Sequence, residues 1–341
     1  MTQPSRRCLY IRDYYFRGDE ARPWDSAVVE AERQHLAAVS GFDVRFLHFD
    51  KMYLDDREGC HLQFLEEVKA TKPEFIFYHP HQYPHLLHMN LRPEILFAAR
   101  ELYGPRLVFS FGDLAYDFVA ACAAGYTSVG DIAVSWDGSA SRLTDLLPGK
   151  TVLDLWAPTD GRIFRDPGLD RSIDVCFAGS LRAYEDRQEM ITAIQRLGIP
   201  VVVRGGDSDD YLSIEDYARL LCESKIALNF SLTSRKVHQI KARVIEATLC
   251  GALLFESEND VTSRYLVPYR HYVPFGDAAD LAAKIRRYLA NEPARKAIVT
   301  AAKAHVGKTM SEQVWWGRIR QALDRTWAEV MAKRQATAPS T

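Results

Sequence analysis

RKVHQIKARVIEATLCGALLFESE, from Arg235 to Glu258, holds the logic of the fold in one stretch: a segment of helical period, a stop at Cys250–Gly251, and the apolar run ALLF. Glycine ends a helix in a backbone conformation that other residues resist. A short apolar run directly after it is the mark of a buried strand in a parallel sheet. The same alternation continues on both sides. Upstream lie IDVCFAGS (173–180, strand into turn), DRQEMITAIQRLG (helix), IPVVVRGG (strand into a glycine turn), SIEDYARLLCES (helix) and KIALNFS (strand). Downstream a helix is predicted from Asp277 to Ala290.

An equivalent series fills the first half. CLYI (8–11) precedes a helix through WDSAVVEAERQHLAAVSG, then come DVRFLHF (43–49), the helix LQFLEEVKAT, PEFIFYH (73–79), a helix near PEILFAARELYG and the strand RLVFSF (106–111). AYDFVAACAAGY, DIAVSW (131–136), a short helix near SRLTDLL and the strand KTVLDLW complete it. Between the two series, residues 158–172 (PTDGRIFRDPGLDRS) are rich in Pro, Gly and Asp, the composition of a linker. Strands alternating with helices are β-α-β units. The expected fold class is therefore α/β, with two facing Rossmann-like domains, 1–157 and 158–310, and a cleft between them.

Composition narrows the function. With 341 residues, 47% of them hydrophobic, the chain is globular, and 43 basic against 45 acidic residues give a net charge of -2. That balance offers no overall attraction to nucleic acid or to an anionic membrane. The six cysteines form no C-x-x-C pair, which reads as reduced thiols in a cytoplasmic protein rather than a zinc knuckle or disulfide framework. No run reaches membrane-spanning length, and the opening segment is interrupted by charge too early for a signal peptide. Residues 335–341, small, polar and proline-containing, read as a frayed tail.

Open parallel sheets bind ligands beyond the carboxyl ends of their strands. In the second half that rule nominates Gly179 and Ser180, then Arg204, Gly205 and Gly206, then Asn229 to Ser231, then Glu256 to Glu258. On a helix, Arg243 and Glu246 are three apart and share a face, whereas Lys241 and Arg243, two apart, diverge. Lys236, Lys241 and Arg243 supply the positive charge that a departing nucleoside diphosphate needs. Glu246, an acceptor-only carboxylate, suits two vicinal ribose hydroxyls. A solvated amphipathic helix with decorative charges is the competing reading.

The runs IDVCFAGS, SKIALNFS, KARVIEATLCGALLFES and HYVPFGDAADLAAKIRRYLANEPARKAI, in that order, resemble the GT-B class of glycosyltransferases, specifically the group-1, spore-maturation CgeB-like branch. The resemblance spans about residues 154–304, and WAPTDGRIF looks like the family's hinge. It implies a metal-independent glycosyltransferase, without cofactor, that moves a sugar from a nucleoside-diphosphate sugar to an acceptor, whether small molecule, glycan or protein. Glu246 would hold the ribose, Lys241 and Arg243 the diphosphate, with Arg182 and Arg187 as further candidates. His238 stands where many relatives carry the first of two glutamates. A nucleotide-sugar epimerase and a non-catalytic nucleotide-sugar-binding protein are the alternatives.

In the first half, the candidates for proton transfer are His79 and His81, after PEFIFY, and Asp113, after RLVFSF. Asp113 reads equally as a helix cap, and Asp137 more so. Pro80 and Pro84 interrupt any helix that would align these histidines as metal ligands, and no metal site is expected. Loop DYYFRGDEARPW offers an apolar acceptor wall or packed core. A final helix from about Ser311 to Lys333 carries the stripe Trp315, Trp316, Ile319, Leu323, Trp327 and Val330. In GT-B proteins such a helix crosses back onto the first domain; a dimer contact is the other reading.

Overall fold

The computed structural model describes residues 5–15, 19–181, 184–205 and 212–336. Its chain divides into two compact units, one running to Leu155 and resuming at Trp315, the other Trp156–Val314.

The first unit is built from β1 (Arg7–Ile11), α1 (Ser26–Ser40), β2 (Asp43–Leu47), α2 (Phe49–Asp55), α3 (Cys60–Thr71), β3 (Phe75–Tyr78), α4 (Pro93–Tyr103), β4 (Arg106–Phe111), α5 (Asp117–Val129), β5 (Ile132–Ser135), α6 (Ala140–Leu146) and β6 (Thr151–Asp154). Its sheet has the order β2-β1-β3-β4-β5-β6, every pairing parallel. Helices cover both faces of such a sheet, so its strands are apolar throughout. FIFY of β3 is buried at all four positions, and Phe64, Leu96, Phe109 and Phe111 fill the core around it.

The second unit contains β7 (Ile173–Ala178), α7 (Glu185–Arg196), β8 (Val202–Arg204), α8 (Ile214–Cys222), β9 (Ser224–Asn229), α9 (Arg243–Leu249), β10 (Leu253–Ser257), α10 (Asp260–Ser263), β11 (Val273–Phe275), α11 (Ala278–Ala290) and α12 (Glu292–Thr309). Its sheet runs β11-β10-β9-β7-β8, again parallel. The fold class expected from the alternating pattern is the one observed. In each unit the strand order reverses once, beside β1 in the first and beside β7 in the second.

Two local expectations need correction. DVRFLHF ends as a strand at Leu47, and Phe49 opens α2 instead, because the buried Asp50 carboxylate takes the backbone N–H groups of Tyr14, Tyr15 and Lys51. In the segment of helical period that stops at Cys250–Gly251, helix begins only at Arg243. Leu232 and His238 pair across an antiparallel bridge and Gln239 N–H donates to the Ser231 carbonyl (3.1 Å), so the chain doubles back before helix can begin. A helix not separately anticipated, α12, starts where Asn291 accepts the Ala294 N–H at 3.0 Å.

The last helix, α13 (Glu312–Ala336), joins the first unit from Trp315 onward. Trp315, Trp316, Ile319 and Leu323 are buried, and the Trp316 ring meets Phe77 (5.1 Å between centroids), Phe42 (6.1 Å) and Tyr10 (6.5 Å). The stripe is thus covered by its own unit. Arg320 reaches the Ser40 carbonyl at the end of α1, lying over Phe42, and the Arg6 guanidinium lies over Trp327. The side chain of Val330 and residues 337–341 lie outside the described residues, whereas residues 335 and 336 of the expected tail are the end of α13. Replacing Trp316 with Ala should cost on the order of 3–5 kcal/mol. Hydrogen exchange should show lost protection in β1 and β3 amides while β9 and β10 keep theirs.

Candidate active site

Where an open parallel sheet reverses its strand order, the loops leaving the carboxyl ends diverge and leave room for a ligand. In the second unit that point lies between β7 and β9, at Gly179 and Asn229. Gly179 has φ +150, and a Cβ there would sit 2.7 Å from Arg243 Nη2 and 3.2 Å from the Phe177 ring. Only glycine lets the guanidinium come this close to the turn. Arg243 opens α9, where Nη1 donates to Asn229 Oδ1 at 2.6 Å and the guanidinium carbon lies 5.0 Å from the Phe177 ring centroid. Its Nε is buried without a hydrogen-bond partner among the described residues.

Asn229 in turn donates from Nδ2 to Glu256 Oε2 at 2.5 Å. Burial drives the Glu256 carboxyl up to about 7, against the pull of Asn229 and the Arg243 charge. One turn along α9 from Arg243, Glu246 Oε2 accepts the Tyr217 hydroxyl at 2.6 Å. Burial raises the Glu246 carboxyl, and the Tyr217 hydroxyl and Arg243 oppose that rise. His238 Nδ1 lies 2.8 Å from Ser231 Oγ, which is 3.2 Å from Ser257 Oγ. Lys241 Nζ donates to Gln239 Oε1 at 2.5 Å. At the end of β8, the Arg204 carbonyl receives the Gly179 N–H (2.9 Å), its side chain is exposed, and Gly205 adopts φ +70.

The edge therefore gathers Gly179, Asn229 and Arg243 into direct contact, with Glu246 next along α9. Arg187 is buried, lies 3.5 Å over the Tyr184 ring, and reaches the carbonyls of Phe230 (3.4 Å), Leu232 (3.3 Å) and Ser180 (3.5 Å). It ties the β7 and β9 loops together. Arg182 and Gly206 lie outside the described residues.

In the first unit the reversal falls between β1 and β3, and there Asp13 meets His81. His81 Nε2 is 3.4 Å from Asp13 Oδ1. His79 Nδ1 is 2.8 Å from the Ser110 carbonyl, which can only accept, so Nδ1 carries the proton. Burial lowers the proton affinity of both imidazoles. Asp113 holds φ +52, with its Oδ2 3.4 Å from the Tyr83 hydroxyl. Asp137 is buried and clamps its surroundings, accepting from Leu114 N–H (2.9 Å), Ser139 N–H (3.0 Å) and the Ser135 hydroxyl (2.8 Å). Asp55 pairs with Lys51, and Asp56 accepts from Gly59 N–H and Gln63.

Sequence reasoning missed Asp13, Asp50 and Tyr217 as parts of these edges, whereas the end-of-strand rule did nominate Glu256. Asp13 follows the first strand directly, so the end-of-strand rule applied there would have found it. Tyr217 carries no such signal, since its partner lies on another helix.

Residues 182–324 match the family described as glycosyl transferase-like. The fold is similar to that of sucrose-phosphate synthase from Thermosynechococcus elongatus (12% identity, TM-score 0.64, covering 95% of this chain and 100% of that one). It is also similar to HepE of Anabaena in complex with UDP and glucose (12%, TM-score 0.60, 96% and 99%) and to a glycosyltransferase from Rickettsia africae (10%, TM-score 0.62, 95% and 99%). No curated protein matches the chain. The chain is a GT-B glycosyltransferase. The solved structures speak to its fold, and the sequence match over the second unit and into α13 speaks to its activity. None of the described helices of this glycosyltransferase is long and apolar enough to cross a membrane.

Two outcomes test this geometry. Gly179→Ala forces the Arg243 guanidinium away, and a crystal structure of the variant should show the contact to Asn229 lengthened or lost. Because the folded protein raises the Glu256 carboxyl to about 7, the ionised form is disfavoured in the fold, and its cost grows as pH rises from the free-carboxyl value through 7. Glu256→Gln should therefore gain urea stability over the parent above pH 7, with the difference closing in acid.

Proposed function

We propose that this glycosyltransferase takes its sugar from a uridine diphosphate sugar held by the second unit and passes it to a hydroxyl-bearing acceptor, as a group-1 enzyme of the CgeB-like branch. The carrying observation is the contact of Arg243 with both Asn229 and the Gly179 turn at the sheet's reversal point. A guanidinium with a buried, unpartnered Nε beside a glycine turn meets the needs of a diphosphate, whose charge grows as the sugar departs. Lys241 adds a second cation, and the backbone at Ser180 and Gly205 flanks the same edge. With Oε2 of Glu246 occupied by Tyr217, Oε1 is left to accept from ribose hydroxyls. His238, on Ser231, takes a supporting place in the donor pocket. In this reading protein cations do the work of a metal, and no cofactor takes part. UDP is the favoured nucleotide because HepE, of similar fold, is in complex with it. His79, His81 and Asp113 are the acceptor-side candidates.

Calorimetry with UDP, GDP, ADP, CDP and dTDP tests the donor site. UDP should bind selectively, and Glu246→Ala should weaken it by roughly 10- to 100-fold, the loss of hydrogen bonds to a charged group. Equal affinity in the variant, or indifference to all five nucleotides, would remove the assignment.

A further inference from the structure

Resting on the donor reading above, we infer that Tyr217 is the positioning residue for ribose recognition: by holding Oε2 of Glu246 it aims Oε1 at both hydroxyls of the donor's ribose. The enzyme is thereby one for ribonucleoside-diphosphate sugars and closed to their 2′-deoxy counterparts.

Both residues stand on elements whose placement does not depend on their contact. In α9, Val244, Ile245, Ala247 and Thr248 are buried, which fixes the rotation of the helix and leaves Glu246 on the same side as Arg243. In α8, Ala218, Leu220, Leu221 and Cys222 are buried, and the Ser213 hydroxyl caps the first turn by accepting the Asp216 N–H at 3.0 Å. Arg171 joins the two helices at their C-terminal ends, donating to the carbonyls of Ser224 (2.7 Å), just past α8, and Cys250 (2.8 Å), just past α9. Asp166 holds that guanidinium at 3.2 Å. With the helices located by packing and by Arg171, the hydrogen bond from Tyr217 to Glu246 at 2.6 Å acts on the carboxyl rather than on the distance between helices.

The Tyr217 ring is itself set in place by Phe164, which is buried and meets it edge to face, 5.7 Å between centroids. Burial and the Glu246 charge push the Tyr217 hydroxyl well above its ordinary value, so it keeps its proton. A phenol has one hydrogen to give, and here it goes to Oε2. That hydrogen bond and the Arg243 charge oppose the rise that burial imposes on Glu246, and both favour the ionised, acceptor-only form. A carboxylate tethered by one oxygen needs no further ordering when ligand arrives, which an untethered glutamate does. Oε1 offers two lone pairs, and two vicinal hydroxyls fill them. A 2′-deoxyribose fills one and strands the other on a desolvated carboxylate, the condition under which a site rejects an analogue that lacks a hydroxyl.

Calorimetry of UDP and 2′-deoxy-UDP with the full chain, Tyr217→Phe, Glu246→Ala and the double variant tests the pair, with Tm measured for each. The parent should prefer UDP by about 10- to 100-fold. Tyr217→Phe keeps the ring against Phe164 and removes only the hydroxyl. It should lose most of that preference, with UDP weakened and 2′-deoxy-UDP nearly unchanged. The double variant should bind UDP no more weakly than Glu246→Ala alone, because the hydroxyl acts only through that carboxylate. A preference that survives in Tyr217→Phe overturns the assignment, and so does an equal weakening of both nucleotides, the mark of a packing residue. A Tyr217→Phe variant unfolded at the assay temperature overturns it too, since the hydroxyl would then be structural. A parent that binds the two nucleotides alike sinks the inference while the donor site stands. One that binds neither ends the donor reading and this inference together.

Discussion

A parallel strand can pair with its neighbour only if the chain returns to the starting edge between them, so every strand in both units delivers its carboxyl end to the same side. All the chemistry described above is downstream of that constraint. The single order reversal in each sheet then selects which two loops part company: those after β7 and β9 in one unit, those after β1 and β3 in the other. A right-handed crossover between parallel strands leaves the sequence little other choice.

Both edges spend buried polar groups on position. Asp50, Asn90, Asp137 and Arg187 are each buried, and each holds backbone N–H or carbonyl groups of a loop, so that loops without regular structure acquire fixed geometry. Glu256 plays this part through a side chain, steering Asn229 and hence Arg243. The amide of Asn229 faces a carboxyl on one side and a guanidinium on the other, which sets its orientation without ambiguity.

How much of this could be read in the sequence depends on whether a feature is local. The strands CLYI, RLVFSF and IDVCFA, the glycine stop at Gly251 and the turn at Gly179 are written in short windows and stand where the pattern puts them. Arg243 and Asn229 were nominated separately, by spacing and by strand end, and their contact at 2.6 Å needed the fold. The late start of α9 was hidden because the bridge between Leu232 and His238 competes with helix over residues whose periodicity is helical. Likewise Phe49 alternates correctly for a strand, yet its neighbour Asp50 is drawn into α2 by backbone groups more than thirty positions earlier. Asp13 sat in a stretch whose aromatic residues dominated the reading.

The return of α13 to the first unit has a consequence for biosynthesis. Trp315 and Trp316 wall the core beside β1 and β3, strands made roughly 300 and 240 residues earlier. The second unit, by contrast, is contiguous from Trp156 to Val314. Domains usually close in the order in which they leave the ribosome, but here the unit that emerges first must wait for the last helix to finish its core. The second unit is therefore complete before the one that precedes it in the chain.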